Sequence, residues 1–222
     1  VGKFELTGDT TNPTIKPNVE SLRSANVSTL FATTQKLSTN SSMLKNIEWG
    51  AITYLTTSIY GQGLTEVRIN NSSIYITGCA ASVEYGSNYN GCQNKYNTTI
   101  GYLASTTGNI SGIYDMNGIM LEYVMGVMKS KGSNTPNVSS SGFTTLSESK
   151  YYDIYTYSTS SSDLTRYHLG DATAETKGWN GDNAYFVDSR YPWFIRGNNG
   201  IFASNISEGA ALDNRTSRAV LR

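Results

Sequence analysis

The sequence is short of charge: only 15% of its 222 residues are Asp, Glu, Lys or Arg, and 17 basic residues face 17 acidic ones. Without a basic excess, nothing draws the chain to nucleic acid or to an anionic membrane surface. Metal-ligating and redox residues are equally scarce. With two cysteines, one histidine and no CxxC pair, the usual zinc and iron–sulfur spacings are absent. No apolar run approaches the ~18 residues of a membrane span, and no signal-peptide pattern is present. The sequence begins at Val1 rather than Met, inside a strand-like run. A mature or excised domain is therefore expected, with any export signal or anchor outside it.

Catalytic patterns are missing as well. A Ser/His/Asp triad would need His168, yet no Gly-x-Ser-x-Gly turn accompanies it, so His168 reads as a hydrogen-bonding residue. The acidic residues are too sparse to argue for a glycosidase pair. The expectation is a chain that is not an enzyme.

What the sequence does have is Ser, Thr, Asn, Gly and 16 tyrosines. Tyr combined with small hydroxyl and amide residues makes an adaptable contact surface, a composition suited to secreted adhesins, lectin-like modules and phage structural proteins. Trp179 and Tyr191, in loop context, are the aromatic residues expected to bind a ligand, whereas Trp193 reads as core. Cys79 and Cys92 flank a loop-like stretch. They are either a disulfide, worth ~3 kcal/mol in the chain-entropy model, or two unrelated thiols.

At 222 residues the chain is expected to form one domain over 1–222. A strand over 1–6 leads to a breaker-rich turn over 7–17. A helix is predicted over 27–37 behind an Asn26 or Ser28 cap. A second is predicted from the stripe Met43, Leu44, Ile47, Ala51, Ile52, Leu55 and Ile59, ending at Tyr60-Gly61. From Glu66 onward the pattern becomes β-rich. Strands are predicted around 67–76, 112–116, 121–125, 184–187, 193–196 and 219–222, with polar loops over 129–142 and 158–163.

Three segments carry a family resemblance. The stretch Ser105-Thr106-Thr107-Gly108-Asn109-Ile110-Ser111-Gly112-Ile113-Tyr114-Asp115-Met116-Asn117-Gly118-Ile119-Met120-Leu121-Glu122-Tyr123-Val124 resembles a motif of the sulfatase-modifying (formylglycine-generating) family. Trp193-Phe194-Ile195-Arg196-Gly197 followed by Ser217-Arg218-Ala219-Val220-Leu221 resembles that family's closing strand pair, and Val1-Gly2-Lys3-Phe4-Glu5-Leu6-Thr7 its opening strand. The resemblance implies an α+β, C-type lectin-like fold: two helices packed on a twisted antiparallel sheet with long loops, the two chain ends paired. The family's enzyme needs two cysteines near its C-terminal strands, and 198–222 contains none. At the family's Trp this chain has Leu121, and at its second Gly it has Asn198.

The resemblance therefore points to the non-catalytic branch, found in bacterial surface and pilin-like proteins, phage receptor-binding tips and the variable proteins of diversity-generating retroelements. It implies an extracellular place on a bacterial surface or virion and a protein or glycan ligand on a host or neighbouring cell. A filament subunit self-associating through the same surface is the alternative. By analogy with the variable proteins, Asn198, Asn199, Asn205, Ser207, Asp213 and Asn214 are candidate contact residues. The resemblance also implies a structural Ca2+ held by Asp115, Glu122 and the carbonyls of Met116, Gly118 and Met120, a hard-oxygen donor set. The other reading of those residues is a turn cap at Asp115 and a backbone-bonded Glu122.

Overall fold

The computed structural model describes residues 1–17, 19–67, 95–118, 120–146, 148–197 and 200–222. Cys79, Cys92, Asn198 and Asn199 lie outside the described residues, and with them the disulfide and two of the contact candidates.

The organising element is strand β4, Leu121–Met128, whose eight residues are all buried. Its side chains alternate between two cores, as the period of two requires. Val124 and Met128 join one cluster with Leu44, Trp49, Ile52 and Phe194. Leu121, Tyr123, Met125 and Val127 join the other with Val27, Leu30, Met43, Trp193 and Ile195. Helix α1, Val27–Thr34, supplies the second cluster, and helix α2, Asn46–Thr56, the first. A nearly continuous apolar run is what a strand covered on both faces needs.

Around β4 the sheet is mixed. Strand β6, Trp193–Arg196, pairs with it antiparallel, and β7, Ser204–Ser207, pairs antiparallel with β6. Strands β5, Asp153–Tyr155, and β8, Arg215–Ser217, both run parallel to β4, at 126–128 and 121–123 respectively. The wholly antiparallel sheet expected from the resemblance is thus corrected. The connection after β4 is long enough to return the chain to the starting end of the strand, which a parallel neighbour requires. A two-stranded piece joins β3, Ser41–Met43, to β9, Ala219–Leu221, and a small hairpin joins β1, Thr7–Gly8, to β2, Pro13–Thr14. The N-terminal segment lies beside the C-terminal one, with Gly2 N donating to Ala219 O at 2.7 Å and Leu6 N to Ser217 O at 2.9 Å.

Both predicted helices exist, with different ends. Asn26 caps α1, its Oδ1 accepting the Thr29 N–H at 2.9 Å. The helix stops at Thr34 rather than Leu37, because Lys36 N and Leu37 N turn back to the carbonyls of Thr33 and Thr34. Helix α2 starts three residues later than predicted, since 41–43 is strand. Its first turn is closed by Glu48, which accepts the Lys45 N–H at 2.8 Å. It ends at Thr56, leaving Ile59 beyond it 90% exposed, and Leu55, inside the helix but also read as core stripe, is 62% exposed. The predicted strands at 112–116 and 184–187 reduce to the single bridges Ser105–Tyr114 and Ala184–Ser204.

Two buried arginines tie the layers together. Arg196 donates to Asn46 Oδ1 (2.8 Å), Asp171 O (3.0 Å), Ala172 O (2.8 Å) and Ala203 O (3.0 Å), and burial brings its guanidinium down to about 10. Arg218 lies between β8 and β9 and reaches Glu122, Gly2 O and Tyr114 O. No helix among the described residues is long and apolar enough to cross a membrane.

Candidate functional site

The segment 178–191 carries little regular structure and is fixed by side-chain hydrogen bonds instead. The Asp188 carboxylate accepts the N–H groups of Arg190 at 2.8 Å and Tyr191 at 3.1 Å, closing a tight turn ahead of Pro192. Arg166 clamps the turn to the neighbouring loop. Its guanidinium donates to Thr156 O (3.0 Å), Ser160 O (2.9 Å), Asp163 O (3.1 Å) and Val187 O (2.9 Å), and it lies 4.6 Å from the Phe186 ring centre. Burial lowers the Arg166 pKa, against the pull of Asp163 and Asp188. Tyr185 is held against the start of β7, with its N–H on Ser204 O at 2.9 Å and its carbonyl accepting from Ser204 Oγ at 3.0 Å.

These braces shape a groove of about 300 Å³ lined by Ser161, Tyr185, Asp188, Arg190, Tyr191 and Asn205. Tyr185 and Tyr191 keep 43% and 36% of their surface exposed, whereas Tyr114, Tyr123 and Tyr155 are fully buried. The Arg190 guanidinium lies 5.5 Å from the Tyr191 ring centre and 3.7 Å from Asp188 Oδ2. The groove thus offers two braced aromatic faces, one cation and one half-buried amide: stacking area with a few directional polar groups, as recognition sites commonly combine.

Of the residues picked from the sequence, the groove unites Tyr191 and Asn205. Trp179 lies in a separate cavity with Phe202, the rings edge-on with centres 5.2 Å apart. Ser207 is buried at the end of β7, its hydroxyl 2.8 Å from Tyr123 Oη. Asn214 O accepts the Leu121 N–H at 3.1 Å and so helps seat β8 beside β4, while Asp213 O accepts from Arg23 in the N-terminal loop. Asp188 and Arg190 line the groove without having been picked from the sequence. The sequence signal for them was local: an Asp two residues before Arg190 and three before Tyr191, with Pro192 following, spells a closed turn that presents its tip.

The residues implied for Ca2+ form the junction of all three family-like segments. Tyr114 N donates to Lys3 O at 2.9 Å, and Gly118 N donates to Gly197 O at 3.2 Å. Asp115 is buried with φ of 64°. Glu122 is held in a two-point pair with Arg218, Oε1 to Nη2 at 2.6 Å and Oε2 to Nε at 3.2 Å. Arg218 thus donates one bond to each oxygen of Glu122. Among the described residues, no group of three or more His, Cys, Asp or Glu is placed to hold a metal ion. Glu5 lies close to the pair, and burial followed by the Glu122 charge pushes its carboxyl well above the usual range.

His168 stacks on Tyr155, with ring centres 4.3 Å apart. Its backbone N–H donates to Asp171 Oδ2 at 2.9 Å. No family model matches this chain, and no curated protein matches it.

Proposed function

We propose that this chain is an extracellular ligand-binding or adhesive domain of C-type lectin-like fold, belonging to the non-catalytic branch of the sulfatase-modifying type. Its setting on this reading is a bacterial surface filament, an envelope or a phage virion, and its ligand is a protein or glycan. The observation that carries the reading is the braced groove. Two large aromatic side chains, 43% and 36% exposed, stand on backbone held before any ligand arrives, Tyr191 on the turn closed by Asp188 and Tyr185 against Ser204 of β7. Aromatic anchors fixed in advance lose little entropy on binding, which is how compact contact surfaces gain affinity. The meeting of the three family-like segments at Arg218 supports the fold half of the reading.

The test is direct. Purified protein and its Tyr185→Ala/Tyr191→Ala variant are compared on a glycan array and in a cell-binding assay. Both tyrosines are surface residues, so each substitution should change the stability by no more than about 0.5 kcal/mol. Binding should fall by about 30-fold or more, the signature of an aromatic hot spot. Full binding by the variant would remove the groove from the reading. Concentration-dependent assembly that the double substitution abolishes would favour the filament subunit instead.

A further inference from the structure

A second cavity, about 280 Å³, lies where the end of α2 and the segment 63–66 meet Trp179, Ile201 and Phe202. Its walls are apolar and aromatic. Trp179 is 46% exposed and packs edge-on to both Phe202 and Tyr54. One carboxyl, Glu66, lines it, with Asp182 close enough to act on its charge.

The way these two acids are seated shows a built site. The Phe202 N–H donates to Asp182 Oδ2 at 3.0 Å, and the next amide, Ala203 N–H, closes the turn onto Gly200 O at 3.2 Å. The Ile201 carbonyl is anchored by Trp49 Nε1 at 2.8 Å, and the Val67 carbonyl by Asn117 Nδ2 at 2.8 Å. A side chain at Gly200 would collide with Asp182, its Cβ falling 1.8 Å from Oδ1. Glu66 Oε1 has no hydrogen-bond partner although the atom is buried. Among the described residues neither acid belongs to an ion pair within 4.0 Å. The cation that acts on Asp182, Arg196, directs its N–H groups to carbonyls and to Asn46.

An aromatic-walled cavity with an unsatisfied carboxylate oxygen and, among the described residues, no cation of its own is complementary to an organic cation with an apolar stem. We propose that this cavity binds an alkylammonium group of the lysine side-chain kind, the stem lying against Trp179 and Phe202 and the ammonium donating to Glu66. The inference shares its setting with the ligand-binding reading but rests on different residues.

Titration calorimetry at pH 8 with Nα-acetyl-lysine methylamide, Nα-acetyl-norleucine methylamide and glucosamine tests it. The lysine probe should bind about tenfold or more tighter than its uncharged isostere. Glu66→Gln, which keeps the size of the side chain while removing its charge, should erase that preference, and Trp179→Ala should weaken both probes alike. If Glu66→Gln does not fold, the wild-type protein at pH 5 gives the same reading, because protonated carboxyls should no longer prefer the lysine probe.

Equal binding of the two amides, no binding of either, glucosamine binding without the lysine probe, or a preference that survives both Glu66→Gln and pH 5 would overturn the proposal. The Tyr185→Ala/Tyr191→Ala variant should retain the lysine-probe signal. Failure of the tyrosine groove and failure of this cavity are therefore told apart.

Discussion

Glu122 and Arg218 stand 96 positions apart and meet fully buried, each satisfying the other. A buried pair of this kind adds little beyond well-packed apolar residues, but breaking it strands a charge. Arg218→Met should therefore cost about 3–5 kcal/mol, measured by denaturant unfolding, because it leaves Glu122 alone beside Glu5. The same pairing predicts that a chelator leaves the melting temperature where it was; a drop of several degrees would assign calcium to this segment. Glu122 stood out in the sequence, and so did the Ser217-Arg218-Ala219 step. Their pairing did not, because it depends on β8 lying parallel to β4 across 121–123, a long-range register that no local pattern encodes. Tyr191 was legible for the opposite reason: its exposure follows from a turn written within four residues.

At the scale of elements, apolar periodicity located both helices and the strands at 121 and 193, since those faces are buried by neighbours of matching period. Their ends were set by events the period does not contain. Leu55 and Ile59 continue the stripe of α2 past the core that would bury them, and 41–43 leaves the stripe to pair with β9. The glycines that let elements touch were invisible too. Gly50 in α2 lies against the backbone of Gly170 and Asp171, where an added Cβ would fall 2.1 Å from the Gly170 carbonyl oxygen. Backbone cannot move aside as a flexible side chain can. Gly50→Ala should raise helix propensity and still destabilise the protein by about 3 kcal/mol, the upper part of the range for overpacking. A thermal melt of this variant at or above wild type would show that α2 does not press on the 170–171 turn.

For the whole molecule, the pH dependence of stability follows from five carboxyls among the described residues that burial displaces upward: Glu5, Glu66, Glu122, Asp153 and Asp182. Burial pushes Glu66 up to about 7, helped by Asp182, and Asp182 up to about 6. Glu5, fully enclosed beside Glu122, is pushed well above the ordinary 4.5. In each case the folded chain keeps a proton that the unfolded chain releases, so the stabilisation is fully present below the unfolded value and is lost as pH rises through the folded one. Asp9 and Asp163, both exposed, are lowered instead by hydrogen bonds. Their contribution is lost only on going below the ordinary 3.8. Between these limits the balance favours acid: the melting temperature should be highest near pH 5 and fall by a few degrees toward pH 8. Glu5→Gln separates the contributions, because it keeps an acceptor for the Ser21 hydroxyl while removing the proton that must be held. The variant should match wild type near pH 4.5, exceed it at pH 8, and show a shallower slope between. A wild-type curve rising from pH 5 to pH 8, or a variant parallel to wild type throughout, would mean that Glu5 is ionised in the folded chain and that the charge beside Arg218 is balanced in some other way.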